Sequence, residues 1–569
     1  MKLIKITKRI LALVLVCTFG ITCTKLDTKV YSVLANENFW KTPDQITAGK
    51  APAYQALYAM GGDASHYYNS AMNADEMVTP TRGGDWGDGG AWGKPYYHTQ
   101  TPDEGWVNGC WADIFAGVGK CNFIIYTLQH LDPAPASLQA DVAEIKAIRS
   151  FFFLRGIDLF GNIPYVTNFK IDASTVINIP RTQVFDSLEN DLKASIPLLS
   201  DATDVSTYGK MTKWFAKGML AKLYLNAEIY KGAGAGASYF SKCAAECNDI
   251  ISSGKFQLTN DYYENFGVNN ISTENLFSLP YNRDLISGQR MACTSIMSNN
   301  AYTFGVTAQW GNNGMSVTDE YYHNFDTSSV YYSIPSDAYI NTYRTFNDQR
   351  SGQILIGQQY VNGIKYPPYK DILYASTNTA KAGDPFDPAS AAIKLYDNQS
   401  HLPLSYYGKM TEFANGQDSF RLSGLRMIKW YPQPGNPSSV NGDMMSNQLP
   451  ILRYADILLM QAEVLKRSGG SLSTALDLVN QVRARAYGSH EHDWTSGDLT
   501  YTNLLAERAR ELTWEQWRRN DLIRFGTYGA ARLYPPKPAD ADRHLELLPI
   551  PVSAHLTNPN LTQNPGYTW

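Results

Sequence analysis

Apolar residues recur at spacings of three and four in separate blocks of the chain, the period that buries one face of a helix. On that pattern helices are predicted over 44–60, 108–131, 138–160, 183–199, 212–231, 238–253, 452–468, 471–486 and 503–525. Several blocks end on glycine, at Gly161, Gly232, Gly254 and Gly469, the residue that most readily takes the left-handed turn closing a helix. Two pairs stand out. Residues 212–231 set Ala and Gly among large apolar side chains, and 238–253 follows after a Gly/Ala turn; 452–468 is joined across Gly469-Gly470 to 471–486. A third pair links 140–160 to 183–199 by a longer connection. Small residues let helices approach closely, and pairs repeating at about 34 residues read as tetratricopeptide-like units.

Between 255 and 450 the helical period is lost. Gly, Asn, Ser, Pro and Tyr dominate, with short apolar stretches such as Ile354-Leu355-Ile356 and Met427-Ile428-Lys429-Trp430. The segment is too aromatic for disorder and reads as loops and short strands packed on a helical scaffold. The expected organisation is a leader over 1–22 and an N-terminal helical part over 23–254 carrying a ligand loop at 73–111. An irregular ligand-facing region follows over 255–450, then a C-terminal helical part over 451–569 on the same scaffold. The fold class is mainly α with few short strands.

The N-terminus changes the picture of where the chain works. Lys2, Lys5, Lys8 and Arg9 precede an apolar run from Ile10 to Ile21. That run is too short to stay in a membrane as a spanning helix and suits a secretory leader. It ends in Gly20-Ile21-Thr22-Cys23, similar to a bacterial lipobox, in which Cys23 would be the lipidated first residue. The alternative is a plain secretory leader with an incidental cysteine. Several acyl chains anchor firmly where one is marginal, since each buried CH2 contributes about 0.8 kcal/mol.

Composition then removes whole classes. The chain of 569 residues is 44% hydrophobic and 18% charged, with a formal charge of −4 that falls to −8 without the leader's four basic residues. No basic footprint for nucleic acid exists. Beyond Cys17 and Cys23, the five cysteines Cys110, Cys121, Cys243, Cys247 and Cys293 are odd in number and sparse; they read as small buried side chains rather than a disulfide framework or a zinc site. The 37 Tyr and 12 Trp are the notable excess, because these rings suit ligand platforms as well as cores.

Several blocks in order resemble one family. Cys23-Thr24-Lys25-Leu26-Asp27, Ala147-Ile148-Arg149-Ser150-Phe151-Phe152-Phe153, Phe160-Gly161-Asn162-Ile163-Pro164-Tyr165 and Leu452-Arg453-Tyr454-Ala455-Asp456-Ile457-Leu458-Leu459-Met460-Gln461-Ala462-Glu463 carry the likeness. So do Glu507-Arg508-Ala509-Arg510-Glu511-Leu512, Arg519-Asn520-Asp521-Leu522-Ile523-Arg524-Phe525-Gly526 and the tail from Leu548-Pro549-Ile550-Pro551 to Asn564-Pro565-Gly566-Tyr567. Together they resemble the SusD/RagB family of nutrient-binding outer-membrane lipoproteins of Bacteroidetes. The resemblance implies about four tetratricopeptide-like helix pairs under an irregular ligand face. It also implies a cell-surface location in the outer membrane and a SusC-like TonB-dependent barrel, which the lipoprotein covers as a lid. Arg453, Asp456, Glu463, Glu511, Asp521 and Arg524 are charges inside apolar helices and are expected to pair and lock packing.

The run from Arg82 through Gly83-Gly84-Asp85-Trp86-Gly87-Asp88-Gly89-Gly90-Ala91-Trp92-Gly93-Lys94-Pro95 to Tyr96-Tyr97-His98 joins flexible glycines to rings that a loop buries poorly. Trp86, Trp92, Tyr96 and Tyr97 are candidate faces for a sugar, and Arg82, Asp85 and Asp88 candidate partners for its hydroxyls. Trp310, in Gln309-Trp310-Gly311-Asn312-Asn313-Gly314, is expected to line the same site, with Tyr360, Tyr321 and Tyr322 as further candidates. Trp106 and Trp111, at a helix start, read as core. The expected role is capture of an oligo- or polysaccharide, with no catalysis and no cofactor or metal.

Two alternatives remain: peptide cargo on the same fold, and a helical glycoside hydrolase using Asp75-Glu76, Asp85 with Asp88, or Asp384 with Asp387. Other enzyme signatures lack their context. Gly232-Ala233-Gly234-Ala235-Gly236 joins two helices and follows no strand, and His490-Glu491-His492-Asp493 sits in a Gly/Ser-flanked turn.

Overall fold

The computed structural model describes residues 39–61, 65–81, 86–268, 271–286, 288–296, 311–312, 314–326, 329–332, 343–355, 425–431, 445–533 and 536–569. The leader with Cys23 lies outside them, as do Arg82, Asp85, Trp310, Tyr360, Asp384 and Asp387. The chain divides into units 1–49 and 50–569. Of the first, residues 39–49 are described, with Phe39 and Trp40 meeting edge-on at 5.3 Å. Every helix and strand from Ser65 onward lies in the second unit.

In order, the helices of the first half are α1 (Pro43–Leu57), α2 (Ser65–Ala71), α3 (Lys94–Tyr97), α4 (Gly105–Gln129), α5 (Leu138–Phe160), α6 (Arg181–Ser195), α7 (Lys213–Leu225), α8 (Ala227–Lys231) and α9 (Gly236–Ser252). Short elements then occupy the irregular region: β1 (Asn275–Leu279), α10 (Met291–Ser295), α11 (Asp319–Tyr322), β2 (Ser329–Tyr332), β3 (Tyr343–Phe346), β4 (Ile354–Leu355), β5 (Arg426–Met427) and β6 (Leu449–Arg453). Helices return as α12 (Tyr454–Ser468), α13 (Leu472–Tyr487), α14 (Tyr501–Leu512) and α15 (Arg518–Arg524). The protein is mainly α, and among the described residues the strands occur as antiparallel pairs, including β1 with β6, β2 with β3 and β4 with β5. Among the described residues no helix is long and apolar enough to cross a membrane.

Local chemistry explains the helix ends. Thr212, Ser471 and Thr500 each accept a backbone N–H three residues on, capping α7, α13 and α14. Gly469 ends α12 in the left-handed region at φ 69°, a conformation a side chain would strain.

Packing runs helix to helix along the chain. α4 packs on α5, α5 on α6, α7 on α9, α9 on α12 and α12 on α13. The step from α9 to α12 matters most. These helices are neighbours in space while residues 253–453 lie between them in sequence, so the irregular region is an insertion between two stacked helices. Glycines set the close approaches: a side chain at Gly117 would enter the Phe152 ring, and one at Gly218 would meet Leu452. From Ala147 to Phe160 every residue of α5 is buried, as expected of a helix enclosed on all sides. Cys110, Cys121, Cys243, Cys247 and Cys293 are buried and form no disulfide among the described residues.

Buried ion pairs tie the insertion to the scaffold. Arg453, at the end of β6, reaches Glu274 at 2.5 Å, Glu511 at 2.8 Å and Glu515 at 2.7 Å. Arg485 on α13 holds Glu274 at 2.8 Å and Glu511 at 2.5 Å, while Arg350 holds Asp348, Glu507 and Glu511 at 2.8, 2.6 and 3.1 Å. Burial alone would push the Glu511 carboxyl up, but Arg485, Arg453 and Arg350 hold it down at about 2. Asp456 pairs with Lys222 and Arg508, Glu463 with Arg524, and Asp521 with both Arg508 and Arg524. The charges expected to lock helix packing do so.

Three expected helices differ from the periodicity, and the one over 212–231 divides at Asn226 into α7 and α8. Residues 452 and 453 belong to strand β6. The helix expected over 503–525 is two, α14 and α15, broken at 513–517 where Trp514 and Gln516 have φ of 58° and 68°. Tertiary partners favour the break: Trp514 N–H donates to the Glu76 carboxylate at 2.7 Å, and Glu515 turns in to meet Arg453 and Lys429. Local period carries no information about such long-range bonds.

Candidate ligand site

The tryptophan loop stands on a clamped base. Asn73 donates to the Pro95 carbonyl at 2.9 Å and accepts from Arg519 at 2.9 Å and from the Tyr528 hydroxyl. Arg532 donates to the carbonyls of Ala74 and Tyr96, its guanidinium 4.8 Å from the Tyr96 ring centroid. His98 bonds Asp540 at 2.7 Å and stacks on Tyr528 at 4.3 Å. Burial pushes the His98 imidazole down to about 4, so it is neutral at pH 7. The C-terminal segment thus fixes where the loop leaves the scaffold.

Above this base the backbone is strained. Trp86, Asp88 and His98 have φ of 58°, 33° and 55°, and Gly89 and Gly90 have 62° and 83°. Non-glycine residues in the left-handed region cost about 1–3 kcal/mol each and cluster at functional sites.

Three indoles gather here. Trp86 and Trp92 meet at 4.6 Å with planes at 75°, and Trp92 and Trp106 at 4.6 Å with planes at 49°. Tyr68 of α2 backs the group, 5.4 Å from Trp92 and 4.9 Å from Trp106. Tyr68 is buried and all three tryptophans are half-buried. Both loop indole N–H groups are used internally, Trp86 on the Asn312 carbonyl and Trp92 on the Asp88 carboxylate, each at 2.6 Å. What remains to offer a ligand is apolar ring face, with the exposed carboxylate of Asp88 and the 37%-exposed Tyr97 beside it.

The second loop singled out in the sequence joins the first. Besides the Asn312 bond, the Trp86 indole lies on Gly314, where an added Cβ would stand 2.5 Å from the ring. Only glycine leaves room for that stacking. Trp310 itself is outside the described residues.

Several expectations need correction. Tyr96 is fully buried beneath Arg532 and presents no face. Tyr321 and Tyr322 are buried, with the Tyr321 hydroxyl donating to the Ala509 carbonyl at 2.7 Å. Trp111 is core as expected, but Trp106 belongs to the indole group. Its place in the first turn of α4, next to a glycine-rich loop, was the available signal.

Of the carboxylate pairs, Asp75 is gripped by Arg518 with two bonds of 2.7 Å, and Glu76 is sealed from solvent. Burial, with Asp75 alongside, pushes Glu76 up to about 8 against the pull of the Trp514 N–H. Such a group has an acid's pKa without an acid's access. His490 bonds Asp493 at 2.8 Å and His492 stacks on Tyr487 at 4.1 Å.

Comparison with known proteins gives two family matches, one described as SusD family over residues 273–567 and one as starch-binding associating with outer membrane over 27–225. The starch-binding protein SusD of Bacteroides thetaiotaomicron is 23% identical over 527 residues, covering 88% of this chain and 86% of the relative. SusD-like protein P2 of Formosa agariphila is 24% identical over 589 residues and the whole of both chains. Among solved structures, surface glycan-binding protein A of Bacteroides fluxus superposes with a TM-score of 0.67 at 20% identity, over 92% of this chain and all of that one. The Bacteroides thetaiotaomicron protein of the same name, in complex with laminarihexaose, gives 0.66 at 19% identity, over 92% and 99%. At these identities the structural likeness speaks for the fold.

Proposed function

Because this chain belongs to the SusD family, we propose that it is a surface glycan-binding protein whose platform is the indole group Trp86, Trp92 and Trp106. The observation carrying this reading is three half-buried indoles, Trp92 standing 4.6 Å from each of the other two, with the loop N–H groups already satisfied. Sugar rings have apolar faces that stack on such surfaces, and the strained, clamped loop holds the rings ready without an ordering cost on binding. Tyr97 and Asp88 flank the platform; Arg82, Asp85, Trp310 and Tyr360 are further contact candidates from their place in the sequence. In this reading Cys23 carries the lipid anchor at the outer membrane, and a TonB-dependent barrel of the SusC kind receives the glycan. If a sugar stacks no better than a nucleobase, at about 1–3 kcal/mol per ring, two or three contacts give micromolar to millimolar affinity. A barrel binding the same polymer raises the effective concentration enough to make that useful.

Affinity electrophoresis and isothermal titration against a polysaccharide panel test the reading. Starch and laminarin head the panel, since similar proteins are named for binding them. Trp86→Ala and Trp92→Ala are each expected to weaken binding about tenfold or more. Undiminished binding in both variants removes this loop from the site, and binding of a protein digest with no sugar bound moves the assignment to peptides.

A further inference from the structure

The charges around the indole group select among glycans, an inference that rests on the glycan-platform reading. Asp88 stands at the edge of the platform, exposed, with one carboxylate oxygen engaged by the Trp92 indole and no salt-bridge partner among the described residues. Asp103 and Glu104 lie in the turn that leads into Trp106 at the start of α4. Asp103 is exposed, and its carboxyl is held below the usual range by the Thr101 hydroxyl. Two cationic side chains occur from Trp86 to Trp106, and neither meets a ligand as a free positive charge. Lys94 is bound to Glu104 at 2.5 Å, and His98 is buried and neutral. The N-terminus of α4 is itself a site of partial positive charge, but the two acids just ahead of it offset that. From the facing loop, Asn312 and Gly314 bring no charge.

We propose that this site takes neutral polysaccharides and rejects those carrying carboxylate or sulfate groups, with Asp88 and Asp103 as its specificity-determining charges. A unit charge 4 Å from another in bulk water changes binding about fivefold, and more near a protein surface. Screening has a length of about 8 Å at physiological salt and several times that in dilute buffer, so the discrimination is strongest at low ionic strength and fades as salt is added.

The test uses matched pairs that differ only in charge: laminarin with carboxymethylated laminarin, and soluble starch with carboxymethyl starch. Binding of each is measured by isothermal titration on the full chain in dilute buffer and again at high salt. The neutral member is expected to bind at least about tenfold more tightly in dilute buffer, with the ratio shrinking in salt. Asp88→Asn and Asp103→Asn are each expected to move the ratio a few-fold toward the carboxymethylated polymer. Asp103 lies outside the ring contacts, so its effect reports charge rather than stacking. Equal or tighter binding of the charged polymer by the parent protein overturns the inference while leaving glycan binding standing. Ratios unmoved by either substitution overturn the role of these two acids, and no binding of any glycan overturns the reading beneath both.

Discussion

Glu76 shows how a single side chain is decided by its surroundings. Its carboxyl is sealed from water, takes one backbone N–H from Trp514, and leaves its other oxygen without a partner among the described residues. Burial raises it to about 8 from an ordinary 4.5. The folded state therefore holds a proton that the unfolded chain releases, and the stability from that proton is complete below about 4.5. It drains away as pH rises through 8, by up to about 1.4 kcal/mol per pH unit. Urea unfolding between pH 5 and 8 should show the Glu76→Gln variant gaining on the parent as pH rises, because glutamine keeps an acceptor for Trp514 without a charge. A difference between the two that stays flat with pH would falsify the assignment. That Asp75-Glu76 was readable as a candidate acid pair, while Glu76 is sealed and Asp75 is held by Arg518, follows from access, a property that residue type does not report.

At the scale of elements, the joint between β6, α13 and α14 is held by charges with no water to share them. Arg453 binds three carboxylates from two separate stretches, Glu274 on one and Glu511 and Glu515 on the other. Removing one side of a buried pair leaves the rest uncompensated, at a cost of about 3–5 kcal/mol. Arg453→Met is expected to lower unfolding stability by that amount in denaturant titration. A loss under about 1 kcal/mol, the range of exposed pairs, would show that water reaches the joint. The period of the apolar residues marks most helices to within a few positions, since a helix buries one stripe whatever lies against it. It missed the break at 513–517 and ran α12 back into β6, because hydrogen bonds to Glu76 and Glu274 decide those boundaries. Those partners lie far off in sequence, Glu76 438 residues from Trp514.

For the whole molecule, the consequential fact is the contact of α9 with α12 across the inserted region. If the helical stack is continuous there, the two helices open together. Native-state hydrogen exchange is expected to give 236–252 and 454–468 a common opening free energy. Exchange of 454–468 together with 472–512 while 236–252 stays closed would mean that the insertion splits the scaffold into two cooperative parts.

The order of residues alone determined the helical blocks, the irregular stretch between them, the charges that lock the helices and the tryptophan-glycine loop, because each is written in local spacing or residue type. Tertiary structure decided which rings keep a face free. Tyr96 and Tyr97 are adjacent in sequence, yet one lies under Arg532 and the other is exposed; Trp106 reads as core and joins the indole group. Exposure depends on what the rest of the chain lays across a side chain, and no local pattern encodes that.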